Sequence, residues 1–154
     1  RKETGVTTVG QILNRKGHEV LSISPTASVY EAIRKMAQHQ VGALVVLERG
    51  TLSGIISERD YARKVILQGR RSRETAVREV MTREVVTVRP EQSTFYCMEV
   101  MTEGRVRHLP VLDEGRLVGI ISIGDVVKSI ISQQEFMIEE LERYISGRVG
   151  PDPS

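Results

Sequence analysis

Four residues of the first half of the chain, Pro25, Gly54, Ser57 and Asp60, recur in the second half as Pro90, Gly119, Ser122 and Asp125, each displaced by 65 positions. A constant displacement from one end of the unit to the other leaves no room for an insertion between the copies. Duplication at this length predicts two supersecondary units that cannot each bury an apolar face alone and that pack on one another about a pseudo-two-fold axis. A cleft formed at such a join is expected to be duplicated with it.

Each copy divides into the same elements. Val20 to Ile23 reads as a short strand stopped by Ser24-Pro25, and Val85 to Val88 as its counterpart before Pro90. Val29, Ile33, Met36 and Ala37 then follow at helical spacing, with Ala32 filling the stripe and Ser28 as N-cap; the second copy runs from Ser93 through Met98 and Met101. Ala43 to Leu47 and Leu52 to Ile56 flank Glu48-Arg49-Gly50-Thr51, and His108 to Leu112 and Leu117 to Ile121 flank Asp113-Glu114-Gly115-Arg116. Glycine at the third turn position permits positive φ, so each pair predicts a hairpin. A helix closes each copy, over Glu58 to Leu67 and Gly124 to Ile131. Hairpin strands that are apolar throughout need cover on both faces, so helices supply one and the partner copy supplies the other. The expected fold is α+β, two βαββα repeats related by pseudo-two-fold symmetry.

Three further pieces connect these units. Thr8 to Leu13 resembles Ala76 to Met81 at a displacement of 68, so a lead-in helix is expected before each repeat. The expected organisation is a first repeat with its lead-in over residues 7–70, a second repeat over 75–132 and an amphipathic helix over 133–147. Gln68 to Thr75, with Arg70, Arg71 and Arg73, reads as a solvated connector. In the terminal helix Phe136, Ile138, Leu141 and Ile145 form an apolar stripe ended by Gly147, which must cover the protein's own surface or a second subunit.

Composition excludes several functions. The formal net charge of +2 and an arginine-bearing connector without interleaved aromatics do not suit nucleic-acid binding. No apolar run approaches a membrane span. A lone cysteine, Cys97, forms no intrachain disulfide and no zinc pair, and its helical position suits a small buried hydrophobe. With no secretory signal, the expectation is a cytoplasmic protein. Neither a phosphate loop, a dinucleotide fingerprint, a zinc-binding HExxH nor a serine elbow is present. His39 near a helix end reads as a dipole partner and His18 as solvent-facing. His108 opens a strand that is otherwise buried, where its ring faces either a local hydrogen bond or a cleft.

The duplicated signal is Gly-Ile-Ile-Ser-x-x-Asp, at Gly54 to Asp60 and Gly119 to Asp125. Ser57 at the N-cap and Asp60 at the third helical position make a capping box. Capping gives no reason for the glycine, which a strand needs where another group approaches its backbone. A helix N-terminus beside a carboxylate that can accept from both ribose hydroxyls suits a nucleotide.

These residues resemble the cystathionine β-synthase (CBS) domain, and the tandem resembles the two-repeat regulatory module of that family. The likeness runs from Thr7 to Ile131 and rests on Val80-Met81-Thr82, Val-Thr-Val-x-Pro at 86–90, Arg-His-Leu-Pro-Val at 107–111 and both Gly-Ile-Ile-Ser-x-x-Asp motifs. The resemblance implies a non-enzymatic regulator without a catalytic cofactor. Its clefts would bind an adenosine-containing ligand: AMP, ADP, ATP, S-adenosylmethionine or NAD. The first site would combine Ile55, Ser57, Arg59 and Asp60 with Thr82, Val86, Arg107 and His108. The second would combine Ile120, Ser122 and Asp125 with Lys16, Leu21, Gly42 and Ala43, with His108 close to both. Glu58-Arg59 stands where the second copy has Ile123-Gly124, and Arg107-His108 where the first has Gly42-Ala43, so the Asp60 site is expected to favour anionic phosphate. The resemblance also implies a homodimer and an unidentified regulated protein. The rival reading is an interaction scaffold with empty clefts, in which Ser and Asp only cap helices.

Overall fold

The computed structural model describes residues 7–149. The first repeat contributes β1 (Ser22–Ile23), α2 (Val29–His39), β2 (Ala43–Glu48), β3 (Thr51–Ser57) and α3 (Glu58–Tyr61). The second contributes α5 (Thr94–Gly104), β4 (His108–Asp113), β5 (Arg116–Ser122) and α6 (Ile123–Val149). The lead-ins are α1 (Val9–Lys16) and α4 (Val77–Val80). This is the α+β tandem expected from the duplication.

Hairpin chemistry is the same in both copies. Arg49 and Gly50, like Glu114 and Gly115, both have positive φ, the two-residue turn whose twist matches the flanking strands. Each hairpin also carries a register shift at one position, Val46/Leu47 and Val111/Leu112. Capping residues fix the helix starts. Thr8, Ser28 and Ser57 each close a reciprocal capping box, and Ser93 accepts from the amide of Tyr96.

The strands before the prolines are shorter than expected. In the first repeat only Ser22 and Ile23 pair, parallel to Val45 and Val46. In the second, Val85 to Val88 reduces to a single bridge from Val88 to Val111. Only Val88 of that run bonds to β4, its amide to Pro110 O and its carbonyl to the Leu112 amide, so β propensity alone does not extend the ladder to Val85.

Lead-in helices exchange partners. The core of the second repeat, around Leu109, Val111, Ile121 and Val126, takes in Val9, Ile12 and Leu13 from α1. The core of the first, around Leu44, Val46 and Ile56, takes in Val77, Val80 and Met81 from α4. Each lead-in therefore completes the other repeat rather than its own. The backbone repeats the exchange: the amide of Gly10 donates to Pro90 O at 2.8 Å, and that of Arg78 to Pro25 O at 2.9 Å. These bonds account for the duplicated prolines, whose carbonyls dock the lead-ins.

Close approach accounts for the duplicated glycines. A Cβ on Gly54 would lie 2.7 Å from Met81 Sδ and 2.9 Å from Thr82 O, and one on Gly119 would lie 2.6 Å from Leu13 Cδ2. In each copy the glycine is where the exchanged lead-in lies against the last strand.

The closing helices differ from expectation and from each other. The first runs as α3 and then widens into a π-helical segment, Ala62–Ile66. The second does not stop near Ile131 but continues as one helix to Val149, with Gly147 inside it. The arginine connector is ordered too: Arg73 stacks on Tyr30, 3.8 Å from the ring centroid, Arg70 pairs with Glu79, and Ser72–Glu74 form a 3-10 turn. Cys97 is buried, and burial pushes its thiol pKa up to about 11.

Candidate functional site

Two clefts lie along the join between the repeats. The larger, of about 600 Å³, is lined by Ile55, Ser57, Arg59 and Asp60 from the first repeat and by Thr82, Val86, Arg107 and His108 from beyond the connector. The exchanged lead-in forms part of its wall: Ile55 and Thr82 trade backbone hydrogen bonds of 3.0 and 2.8 Å.

Asp60 is the fixed point of this cleft, only 7% exposed. Its Oδ2 accepts from the Ser57 amide at 3.0 Å and the Ser57 hydroxyl at 3.1 Å, while Ser57 Oγ accepts the Asp60 amide at 3.1 Å. Its Oδ1 accepts from Thr82 Oγ1 at 3.2 Å and pairs with Lys64 Nζ at 3.0 Å. The capping box is therefore real, and the same carboxylate also reaches across the join. Buried charge of this kind persists only when paired and hydrogen-bonded.

The cleft is cationic on balance. Arg59, Arg63, Lys64, Arg105 and Arg107 line it against Glu58, Asp60 and Glu84. Arg59 does not stand free, because its Nη1 donates to Arg105 O at 2.9 Å and braces α3 against the end of α5. Arg63, Lys64 and Arg105 were absent from the sequence-based site. Lys64 had a signal, standing four residues after Asp60 on one helix face. Arg105 reaches the cleft from a left-handed C-cap, φ 54°, which composition does not disclose.

The second cleft, of about 440 Å³, is lined by Lys16, Leu21, Gly42, Ala43, His108, Ile120 and Ser122. Asp125 does not line it. Asp125 Oδ2 accepts from the Ser122 amide at 2.8 Å and from Lys16 Nζ at 2.7 Å, and Lys16 also donates to Ile120 O at 3.0 Å. The carboxylate faces a smaller cavity shared with Arg15, Lys16 and Lys128. Burial opposes its ionisation, but the hydrogen bonds from Lys16 and the Ser122 backbone outweigh it and hold the pKa below the ordinary value of 3.8. Sixty-eight positions after Lys16, the lead-in displacement, stands Glu84. The larger cleft carries Glu84 on its wall, and its motif carboxylate takes its lysine, Lys64, from its own helix.

His108 lines both clefts. Gly42 makes room for it: a Cβ there would lie 3.4 Å from His108 Cε1 and 3.3 Å from Glu58 Oε1. Burial lowers the His108 pKa below 6.5, as do the charges of Lys16 and Arg107, against an opposing pull from Asp125. The ring is consequently neutral at pH 7. The other histidines lie outside both clefts: His39 Nδ1 is 3.1 Å from Lys35 O and His18 Nδ1 is 3.0 Å from Val118 O. Among the described residues no group of three His, Cys, Asp or Glu is arranged to hold a metal ion, and no helix is long and apolar enough to cross a membrane.

The CBS domain model matches residues 9–66 and 77–132, the two halves joined along these clefts. The chain belongs to the CBS domain family. This CBS domain pair is 41% identical over 150 residues to the mitochondrial CBS domain-containing protein CBSX3 of Arabidopsis thaliana, covering 92% of this chain and 73% of that one. Its fold matches a solved CBS-domain protein of Burkholderia ambifaria MC40-6 at TM-score 0.81 and 53% identity, covering 83% of this chain and 96% of that one. It also matches the CBS domain pair of protein MJ0100, at TM-score 0.74 and 25% identity, covering 84% and 99% of the two chains. That protein was solved in complex with 5′-methylthioadenosine and S-adenosyl-L-methionine.

Proposed function

We propose that this CBS domain pair is a regulatory module that takes an adenosine-containing ligand, AMP, ADP, ATP or NAD, in the larger cleft and signals by a shift at the join, with no catalytic step. The observation that carries this reading is Asp60, a nearly buried carboxylate bonded to Ser57, to Lys64 and to Thr82 of the exchanged lead-in, in a cleft lined by arginines. A ribose diol would donate to Asp60 in place of Thr82 and Lys64, and Arg107 would face the phosphate. Exchanging the Thr82 bond for a ligand bond couples occupancy to the seating of the exchanged lead-in, which runs on into the second repeat, and that is the differential contact a switch requires. The complex of the MJ0100 domain pair with adenosine compounds supports the ligand class. A homodimer acting on a separate regulated protein completes the proposal.

Thermal denaturation in millimolar AMP, ATP, NAD and S-adenosylmethionine tests it, because a ligand at about 100 times its Kd adds roughly 2.7 kcal/mol. A clear rise in Tm with at least one of them, lost in Asp60→Asn, is expected. No rise with any of them would favour the interaction scaffold in which Ser57 and Asp60 serve only as a cap.

A further inference from the structure

The distal half of α6 carries an apolar stripe that the described residues leave exposed. Met137, Ile138, Leu141, Tyr144 and Ile145 are each more than half exposed. Beside them in the sequence stand Glu135, Glu139, Glu140 and Glu142 against Arg143 and Arg148. Such a face does not suit an anionic membrane surface, which selects Lys and Arg on the polar side of an amphipathic helix.

A surface of opposite character lies on the first repeat. Tyr30, Tyr61, Val65 and Ile66 line an open groove of about 500 Å³ together with Arg70, Arg71, Ser72, Arg73 and Glu74, three arginines against one acid. Stacking of Arg73 on Tyr30 and pairing of Arg70 with Glu79 hold two of those arginines in place. Ile66 and Leu67 stand exposed beside it, Leu67 at 76%. The duplication makes the contrast sharper. Arg70 of the first copy corresponds, at the displacement of 65, to Glu135 of the second. After the last helix, one copy has become basic and grooved while the other has become acidic and helical.

We propose that the groove receives the distal half of α6 from a second copy of this chain, its leucine and isoleucine side chains on the apolar lining and its glutamates on Arg71 and Arg73. This rests on the homodimer reading above and goes beyond it by naming the two surfaces. The contact is a helix in a groove, with charge setting its orientation. It places the second repeat of each copy on the first repeat of the other, so a two-fold axis generates two equivalent contacts. At 1.5 Å per residue the 27 residues of α6 span about 40 Å, long enough to reach past its own repeat.

Charge exchange tests the pairing. Sedimentation equilibrium of the wild type, of Arg71→Glu/Arg73→Glu and of Glu139→Lys/Glu142→Lys should show a dimer and two variants whose dimer Kd is raised about ten-fold or more. An equimolar mixture of the two variants should recover wild-type affinity, since both contacts of the mixed dimer are then complementary. Arg71→Glu alone, which leaves the Arg73 stack intact, should weaken the dimer in the same direction. A wild-type monomer would overturn both this pairing and the homodimer reading. A dimer indifferent to the arginine changes, or weakened variants that fail to rescue each other, would overturn the pairing alone.

Discussion

Lys16 and Asp125, 109 positions apart, form a 2.7 Å ion pair that occupies the carboxylate of the second Ser-x-x-Asp motif with the chain's own cation. Asp60 is paired instead with Lys64 of its own helix, at 3.0 Å, and Glu84 stands 68 positions after Lys16. Lys16→Met should therefore free the second cleft. We expect isothermal titration with AMP to give one equivalent bound for the wild type and a second, weaker equivalent for the variant. One equivalent in both would show that the lysine does not restrict the cleft.

The same pair has a pH signature. The folded pKa of Asp125 is depressed, so its contribution to stability is present above the unfolded pKa and is lost as pH falls through the folded value. Both partners are partly exposed, with side-chain exposures of 35% and 23%. Screening limits the pair to roughly 1 kcal/mol. Urea denaturation should find Lys16→Met less stable by about that amount at pH 7, with the difference shrinking as the pH falls below the ordinary carboxylate value of 3.8.

Asp60 should dominate ligand affinity. Asp60→Asn keeps a carbonyl for the Ser57 cap but removes the charge, and losing a charge-assisted contact costs about 1.5 to 3 kcal/mol. AMP affinity should fall roughly ten- to hundred-fold. Asp125→Asn, whose carboxylate is already engaged by Lys16, should change it by less than about three-fold. Equal losses would remove the asymmetry between the clefts.

His108 gives the module a dependence on pH. Its folded pKa lies below 6.5, so the unfolded chain binds more protons just under that value, and stability should fall as pH drops from 7 toward 5. A bound phosphate would favour the imidazolium, so AMP affinity should rise on acidification from pH 8 to 6. His108→Asn should flatten both profiles. Calorimetry across that range checks it, and an unchanged affinity slope in the variant would exclude the histidine from the cleft's electrostatics.

The motifs disclosed the hairpins and the caps because each depends on local chemistry or on the repeat itself, while the family resemblance supplied eight of the residues that line the larger cleft. Partner exchange by α1 and α4 was hidden for a physical reason: a displacement of 68 says that two segments are alike, not which core each completes. The strand at Val85 to Val88 failed because only Val88 bonds to β4, and β propensity alone does not extend the ladder. Lys16 was placed in the second cleft, but its engagement of Asp125 depends on α1 lying against the second repeat and was not visible in a linear chain. The continuous α6 was divided because its apolar stripe shifts at Ser132, although nothing there breaks a helix.

The exchanged lead-ins predict unequal costs at the two glycines. A methyl on Gly119 meets the tip of Leu13, a flexible side chain that can turn aside. A methyl on Gly54 meets Thr82 O at 2.9 Å as well as Met81 Sδ, and that carbonyl is fixed by its own hydrogen bond from the Ile55 amide. Overpacking of this kind costs about 1 to 3 kcal/mol, and backbone relaxes less readily than side chain. Gly54→Ala should thus lie near the upper end of that range and Gly119→Ala near the lower. Since Thr82 also bonds Asp60, Gly54→Ala should weaken AMP binding while Gly119→Ala leaves it unchanged. Urea denaturation with parallel AMP titration measures both effects, and the reverse order of stability would mean that the lead-in of the first repeat, not that of the second, is the rigid one.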